Sequence, residues 1–376
     1  MIKICSLKVT VYRFPLDNPV QTSFGLMVDR PMTIVELVSS DGHTGWGEIW
    51  CNFPHVGAEH RARLISSVFE PLVLNQVFAS PNAAFEFLTK ATWVLGLQTG
   101  EFGPIAQCIA GIDIALSDIY AKQRNKPLWE LFGGQSDVVA LYASGISPKG
   151  AEQTARLAVD NGYDALKLKI GFGSEVDIRN IKALREVVGS AGTLMVDANQ
   201  AWTVDHACKM IKELTPFDLS WLEEPIAKDR PHSEWKRLRD EASVPLAGGE
   251  NLLGKTEFSD AIKDGILSVI QPDLAKWGGL SQTIPLAKSI LNSGRRYCPH
   301  YLGGGIGLVA SAHALAAAGG DGMLEVDFNP NPLRSELVGD LLSAKNGKAT
   351  LGKRAGLGFT PNMRAIKKFE VAQHRS

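Results

Sequence analysis

VALYAS (139–144), DALKLKIG (164–171), TLMVDAN (193–199), LSWLEEP (219–225), VPLAGGE (244–250), LSVIQPD (267–273), RRYCPHY (295–301) and GMLEVD (322–327) are eight short apolar runs. Each closes on polar residues, and each is followed by helical spacing. Their ends, taken at Ser144, Lys169, Asp197, Glu223, Glu250, Asp273, His300 and Glu325, fall 25, 28, 26, 27, 23, 27 and 25 residues apart. Such a period fits one strand, one helix and two loops, and eight such units close a parallel (β/α)8 barrel. An open doubly wound sheet is the alternative. Eight uninterrupted units with no G-x-G-x-x-G after the first run weigh against it.

Upstream the pattern is different. The first ~30 residues, opening MIKICSLKVTVYRF, and residues 32–48 read as strands, with turn signals at Asp41-Gly42 and Gly45. Residues 58–75, 81–95 and 104–123 carry helical apolar spacing, with Pro104 suited to a first turn. These elements predict an α+β domain over 1–130 ahead of a barrel over 131–348. Gly162 fits a helix stop, and Thr203 and Thr256 fit N-caps. Past Lys348 the stretch GKATLGKRAGLGFTP (347–361) loses the period, so 349–376 is expected to pack back on the first domain.

The 376 residues are 45% hydrophobic and 21% charged, with 39 basic against 40 acidic side chains, so no net field attracts nucleic acid or an anionic membrane. Five scattered cysteines without a C-x-x-C argue against a disulfide framework and a zinc ribbon. The N-terminus lacks the apolar core of a signal peptide, and no run approaches the ~18 apolar residues of a membrane span. A reducing cytoplasm is the expected location.

Active sites of such barrels lie at the C-terminal strand ends. Those positions hold Lys167 and Lys169, Asp197 and Asn199, Glu223 and Glu224, Glu250, Asp273, His300 and Glu325. Asp197, Glu223 and Glu250 stand on three consecutive strands. Carboxylates brought together raise one another's pKa unless a cation joins them, and all-oxygen ligation favours Mg²⁺, with Mn²⁺ able to stand in. The plainer reading, that each acid caps a helix or pairs with a lysine, serves for one better than for three in a row. Glu223 and Glu224 point to opposite faces of a strand, so only one can face a metal.

Lys167 and Lys169 share a strand face, and two ammonium groups so close lower each other's pKa, making one a usable base. Asp273 and His300 end adjacent strands, where the acid would orient the imidazole and raise its basicity. His55 and His60 lack H-E-x-x-H spacing. The GGGIG run at 303–307 either cradles a phosphate or, as the preferred reading, makes a tight turn. Trp221 and Trp277 read as packing.

With these residues in view, the chain resembles the enolase superfamily, in particular its mandelate racemase-like subgroup. The resemblance spans nearly the whole chain: WGE (46–48), AGIDIALSDI (110–119), LKLKIGFG (166–173), VDAN (196–199), WLEEP (221–225), AGGEN (247–251), QPDLAKWGG (271–279), PHYLGGG (299–305) and LEVDFNPNPLR (324–334). It implies Mg²⁺ on Asp197, Glu223 and Glu250. It also implies Lys169 and the His300–Asp273 dyad as acid/base groups on opposite faces of a carboxylate substrate. Lys167 would contact the substrate carboxylate and lower the pKa of Lys169, and Glu325 would donate a hydrogen bond to the enediolate. In the muconate-lactonising branch a catalytic lysine stands five residues before the Gly-Gly. That position here is Asp273, which leaves Lys276 outside the chemistry.

Acid-sugar dehydration is the expected reaction, with racemisation or epimerisation and sugar-lactone cycloisomerisation as alternatives. The strand-eight stretch with Glu325, Asp327, Asn329-Pro330 and Arg334 resembles that of the family's lactone cycloisomerases. A small carboxylate substrate and a homo-oligomer, from dimer to octamer, are the implied partners. Two first-domain loops, residues 16–30 and 50–57, would close over the barrel mouth. Asp29 and Arg30 would bind hydroxyls or a distal carboxylate. Phe24, Met27, Trp50 and Phe53 suit a less polar substrate instead.

Overall fold

The computed structural model describes residues 1–22 and 25–375, so Phe24 lies outside the described residues. Strands β1 (Ile2–Thr22), β2 (Gly25–Ser39) and β3 (Thr44–Ile49) form an antiparallel capping sheet. The β1 residues in the capping-domain core run Ile2 and Ile4, then Leu7 and Val9; the step from even to odd positions coincides with the register irregularity between Ile4 and Ser6. Such a bulge shifts one residue and resets which face is buried.

A helix over Phe102–Lys122 covers this sheet. Gly47 of the WGE motif lets it approach: a Cβ there would lie 1.9 Å from the Gly111 carbonyl oxygen. By length and composition alone this helix could cross a membrane, but 78% of that window is buried inside the protein. The other two helical segments are interrupted. Gly57–Leu64 runs into a π-helical stretch at Ile65–Phe69, and Pro81–Ala91 breaks at Thr92 before Trp93–Thr99.

Eight parallel strands then form a nearly closed barrel: β4 (Val138–Ile146), β5 (Ala165–Lys169), β6 (Thr193–Asp197), β7 (Leu222–Glu223), β8 (Leu246–Gly248), β9 (Val269–Ile270), β10 (Arg296–Tyr297) and β11 (Met323–Asp327). They pair in sequence order, and β11 returns to pair with β4. Among the described residues no ladder joins β10 to β11. Tyr142, Met195, Trp221 and Cys298 belong to a fully buried cluster inside the barrel. The cap Thr203 accepts from the His206 N–H at 3.3 Å, and Gly162 ends its helix with φ 90°. Thr256 is different: it lies within the Gly254–Asp264 helix, where Glu257 turns back to the Leu253 N–H.

The tail divides its contacts. β12 (Lys348–Thr350) pairs antiparallel with β4 of the barrel, and β13 (Glu370–Arg375) pairs with β1 of the capping sheet.

Candidate active site

Strand register aligns Lys169 with Asp197 and Asp197 with Glu223, so one face of three neighbouring strands carries a base and two acids at the same height. Glu250, Asp273 and His300 lie just past the ends of β8, β9 and β10, on the loops, whereas Glu325 is inside β11. The three expected metal carboxylates are each turned to a cation. Asp197 meets the Lys169 ammonium; Glu223 accepts from Lys167 at 2.7 and 2.8 Å; Glu250 is 2.6 Å from His300 Nε2. Among the described residues no three acids, imidazoles or thiols already converge as a metal cage.

The chemistry of the donor set nevertheless fits a divalent cation. Six carboxylates crowd these strand ends, Asp197, Glu223, Glu224, Glu250, Asp273 and Glu325, and all are buried. Facing them are Lys167, Lys169, Lys276 and His300, so negative groups exceed positive ones by two. The strain of that excess falls on two acids. Burial pushes Glu223 up to about 7 against the pull of Lys167, and burial together with Glu250 and Asp197 pushes Glu224 up to about 8. Glu250 is held well below the carboxylate range, because His300 and Lys276 outweigh its burial.

Glu224 does not point away as strand alternation predicts. It leaves β7 with φ 38°, and its carboxylate is held by Asn251 Nδ2 at 2.9 Å and Gln200 Nε2 at 2.8 Å. The left-handed turn returns it to the strand-end acids. Glu223 instead sits deep, with Trp221 Nε1 at 3.1 Å and Gln271 Nε2 at 2.8 Å as further donors. Trp221 is thus a hydrogen-bond donor as well as packing. Gln271 was missed, although it stands two residues before Asp273.

The lysines depart from expectation. Burial lowers both, and Lys167 lowers Lys169 as anticipated, but the carboxylates win: Glu223 and Glu325 hold Lys167 well above its ordinary value, and Asp197 holds Lys169 up. Glu325 is likewise not a donor in this arrangement. Despite burial, Lys167 at 2.8 Å and His300 draw it down to about 2, and it accepts from the Ser144 hydroxyl.

The Asp273–His300 pair has the expected geometry. His300 Nδ1 is 2.8 Å from Asp273 Oδ2, while Asp273 Oδ1 accepts the Ala275 N–H at 2.8 Å, which fixes the acid in turn. Burial opposes the imidazolium, but Glu250 and Glu325 raise His300 to about 10.

Lys169, Glu250 and His300 open on one cavity of about 380 Å³, bounded on the cap side by Met27, Arg30, Trp50 and Phe53. Asn199 also lines it. Asp29 does not: it is engaged by Arg13 at 2.9 Å, on the opposite face of β2 from Arg30. Lys276 corrects a second expectation. The motif position at Asp273 set it aside, yet its Nζ lies 3.4 Å from Glu250 and 4.7 Å over the Trp50 ring, on the cavity wall. The GGGIG run cradles no phosphate, because Glu48 of the WGE motif fills the Gly304 and Gly307 N–H groups. Trp277 packs against Phe258 and Phe85, as expected.

Comparison with known proteins shows the family. Residues 4–133 match the mandelate racemase/muconate lactonizing enzyme N-terminal domain, and residues 150–365 match the enolase C-terminal domain-like model. A crystal structure of a mandelate racemase/muconate lactonizing enzyme from Bordetella bronchiseptica RB50 is 48% identical, covers 98% of this chain and 99% of its own, and superposes with a TM-score of 0.92. A racemase from Streptomyces coelicolor A3(2) with bound magnesium is 26% identical over 98% of this chain and 100% of its own, with a TM-score of 0.88. The D-galactarolactone cycloisomerase of Agrobacterium fabrum is 29% identical over 98% of this chain and 99% of its own. Other relatives are acid-sugar dehydratases and racemases or epimerases. The chain belongs to the mandelate racemase/muconate lactonizing enzyme family of the enolase superfamily.

Proposed function

We propose that this enzyme removes the proton α to a substrate carboxylate with the help of a divalent cation, and that its overall reaction is dehydration of an acid sugar. One observation carries the reading: the Lys169 amine and the Asp273-oriented His300 imidazole open on the same cavity, together with Glu250.

Asp197, Glu223 and Glu250 would hold Mg²⁺. When bound, the ion supplies positive charge against the substrate carboxylate as it gains electron density. With those acids turned to the ion, burial and the like charge of Lys167 lower the Lys169 pKa toward that of a base, opposed by Glu325. Lys169 Nζ takes the α-proton. Lys167, fully buried, contributes fixed charge without entering the cavity. His300 Nε2 delivers a proton to the departing β-hydroxyl, and Asp273 holds its Nδ1–H. Asn199, Trp50 and Arg30 bound the substrate.

Cycloisomerisation of a sugar lactone is the second reading. It is favoured by the cavity positions of Asp327 and Asn329 and by the full-length relative with that activity. Incubating the magnesium-loaded protein with a panel of mono- and diacid sugars and their lactones separates the two. Loss of water to a 2-keto-3-deoxy product from an open acid supports dehydration. Turnover of lactones alone selects the alternative.

A further inference from the structure

The cavity wall formed by Arg30, Asp327 and Asn329 has an unbalanced charge. Arg30 is 7% exposed, and its Nη2 lies 3.0 Å from Asp327 Oδ2. The same oxygen is 3.7 Å from Arg334 Nη1, behind the wall, so two guanidinium groups share one carboxylate. The other Asp327 oxygen is already taken by the Asn329 backbone and side-chain N–H groups at 3.1 and 2.7 Å. Two buried donors are left without a hydrogen-bond partner, Arg30 Nε and Arg334 Nη1. Among the described residues, Arg30 Nη1 has the Met27 sulfur at 4.0 Å, a weak acceptor. The acid next to Arg30 in sequence, Asp29, gives no relief because Arg13 holds it.

Buried guanidinium groups in natural proteins are paired, and planar forks of this kind match carboxylates. A net positive charge on a cavity-lining side chain therefore calls for an anionic group on the ligand. It is not the reacting carboxylate, which the proposed function assigns to the ion held by Asp197, Glu223 and Glu250.

We propose that Arg30 binds the second carboxylate of a dicarboxylic acid sugar, so that the enzyme selects substrates oxidised at both ends over those with one carboxylate and a terminal hydroxymethyl. This rests on the reaction proposed above. Its test is a binding measurement that needs no turnover.

Equilibrium binding to the magnesium-loaded protein would be compared within matched pairs: galactarate and galactonate, glucarate and gluconate, mannarate and mannonate. The expected result is that at least one diacid binds roughly 10- to 100-fold tighter than its partner, the range for a hydrogen bond to a charged group. Arg30→Met weakens the preferred diacid by that factor more than it weakens the monoacid, so the preference is lost, and Arg30→Lys restores part of it. The inference is overturned if no diacid is preferred in any pair. It is also overturned if Arg30→Met weakens both members of a pair equally, as a purely structural residue would. The wild-type comparison stands even where the variant does not fold. A diacid preference without α-proton exchange on any acid would sink the reaction and leave the subsite. Exchange on monoacids with no preference would do the reverse.

Discussion

The carboxylate of Glu48, on the capping sheet, accepts the backbone N–H groups of Gly304 and Gly307 at 2.5 and 2.9 Å, where the Gly305–Ala318 helix of the barrel begins. An anion at a helix N-terminus satisfies orphan donors and opposes the positive end of the dipole. The space there is tight: a Cβ on Gly304 would meet the Met32 sulfur at 2.1 Å and Glu48 Oε1 at 2.9 Å, so those side chains would have to shift. One side chain thereby registers the sheet carrying Arg30 and Trp50 against the loop carrying His300.

Glu48→Ala is expected to destabilise the protein by about 3 kcal/mol, since it leaves two buried donors unmet. Glu48→Gln, which keeps one acceptor oxygen, should lose about half of that. Urea denaturation of the three proteins measures it, and equal midpoints for wild type and Glu48→Ala would contradict the role.

Lys276→Ala should impair substrate handling without removing proton abstraction. The ammonium lies on the cavity wall over Trp50, and a desolvated cation–π contact contributes up to about 2 kcal/mol. A loss of roughly 30-fold in kcat/KM is expected, with α-proton exchange retained. Unchanged kcat/KM would return Lys276 to the background.

His313 makes stability depend on pH in a known direction. It is fully buried, its Nδ1 accepts the Trp129 N–H at 3.2 Å, and its Nε2 donates to the Leu357 carbonyl at 3.2 Å, a pattern only the neutral ring can make. Burial lowers its pKa from 6.5 to about 4. The unfolded chain therefore binds the proton first as pH falls. The contribution is fully present above pH 6.5 and is lost as pH drops toward 4, to a limit of about 3 kcal/mol. His313→Gln should flatten the stability curve between pH 6.5 and 4, as read by thermal unfolding at several pH values. An unchanged slope would refute the assignment.

Glu223→Gln and Glu250→Gln should each weaken Mg²⁺ binding by at least about 100-fold, more than the 10- to 100-fold typical of residues that only orient ligands. Glu224→Gln, whose acid is held by Asn251 and Gln200, should fall within that smaller range. Calorimetric titration with Mg²⁺ orders the three, and Glu224→Gln as the worst of them would exchange the roles of the paired glutamates.

The barrel was legible because its period is carried by buried runs that end in charge, and charge in an apolar interior has few explanations. Lys169, Asp197 and Glu223 followed directly, since register keeps them level. What escaped were residues whose direction is set by backbone departing from the strand. Glu224 and Gln200 sit at φ 38° and 65°, and neither alternation nor spacing anticipates a left-handed turn. Lys276 was set aside by counting back from Gly278 to the motif position at Asp273, yet the strand ends at Ile270, six residues before Lys276, and the chain between leaves it free to turn to the cavity. Glu48 was visible only as part of WGE, because its partners lie 256 and 259 residues away. The protonation of Lys167, Lys169 and Glu325 depends on how six acids divide four cations, a collective property that no pairwise reading of neighbours supplies.

The central claim is that Lys169 takes a proton α to a carboxylate in a metal-dependent step, and hydrogen–deuterium exchange at that carbon tests it most directly. Magnesium-loaded wild type, Lys169→Met, His300→Asn and chelated wild type would each be incubated with the acid-sugar panel in D2O and followed by proton NMR. The account predicts exchange or turnover on at least one acid by wild type and its loss on chelation. Lys169→Met should be slower by about 10²–10⁴-fold, while His300→Asn still exchanges the proton but no longer completes dehydration. Exchange that persists in the chelated protein, or at an undiminished rate in Lys169→Met, would contradict it.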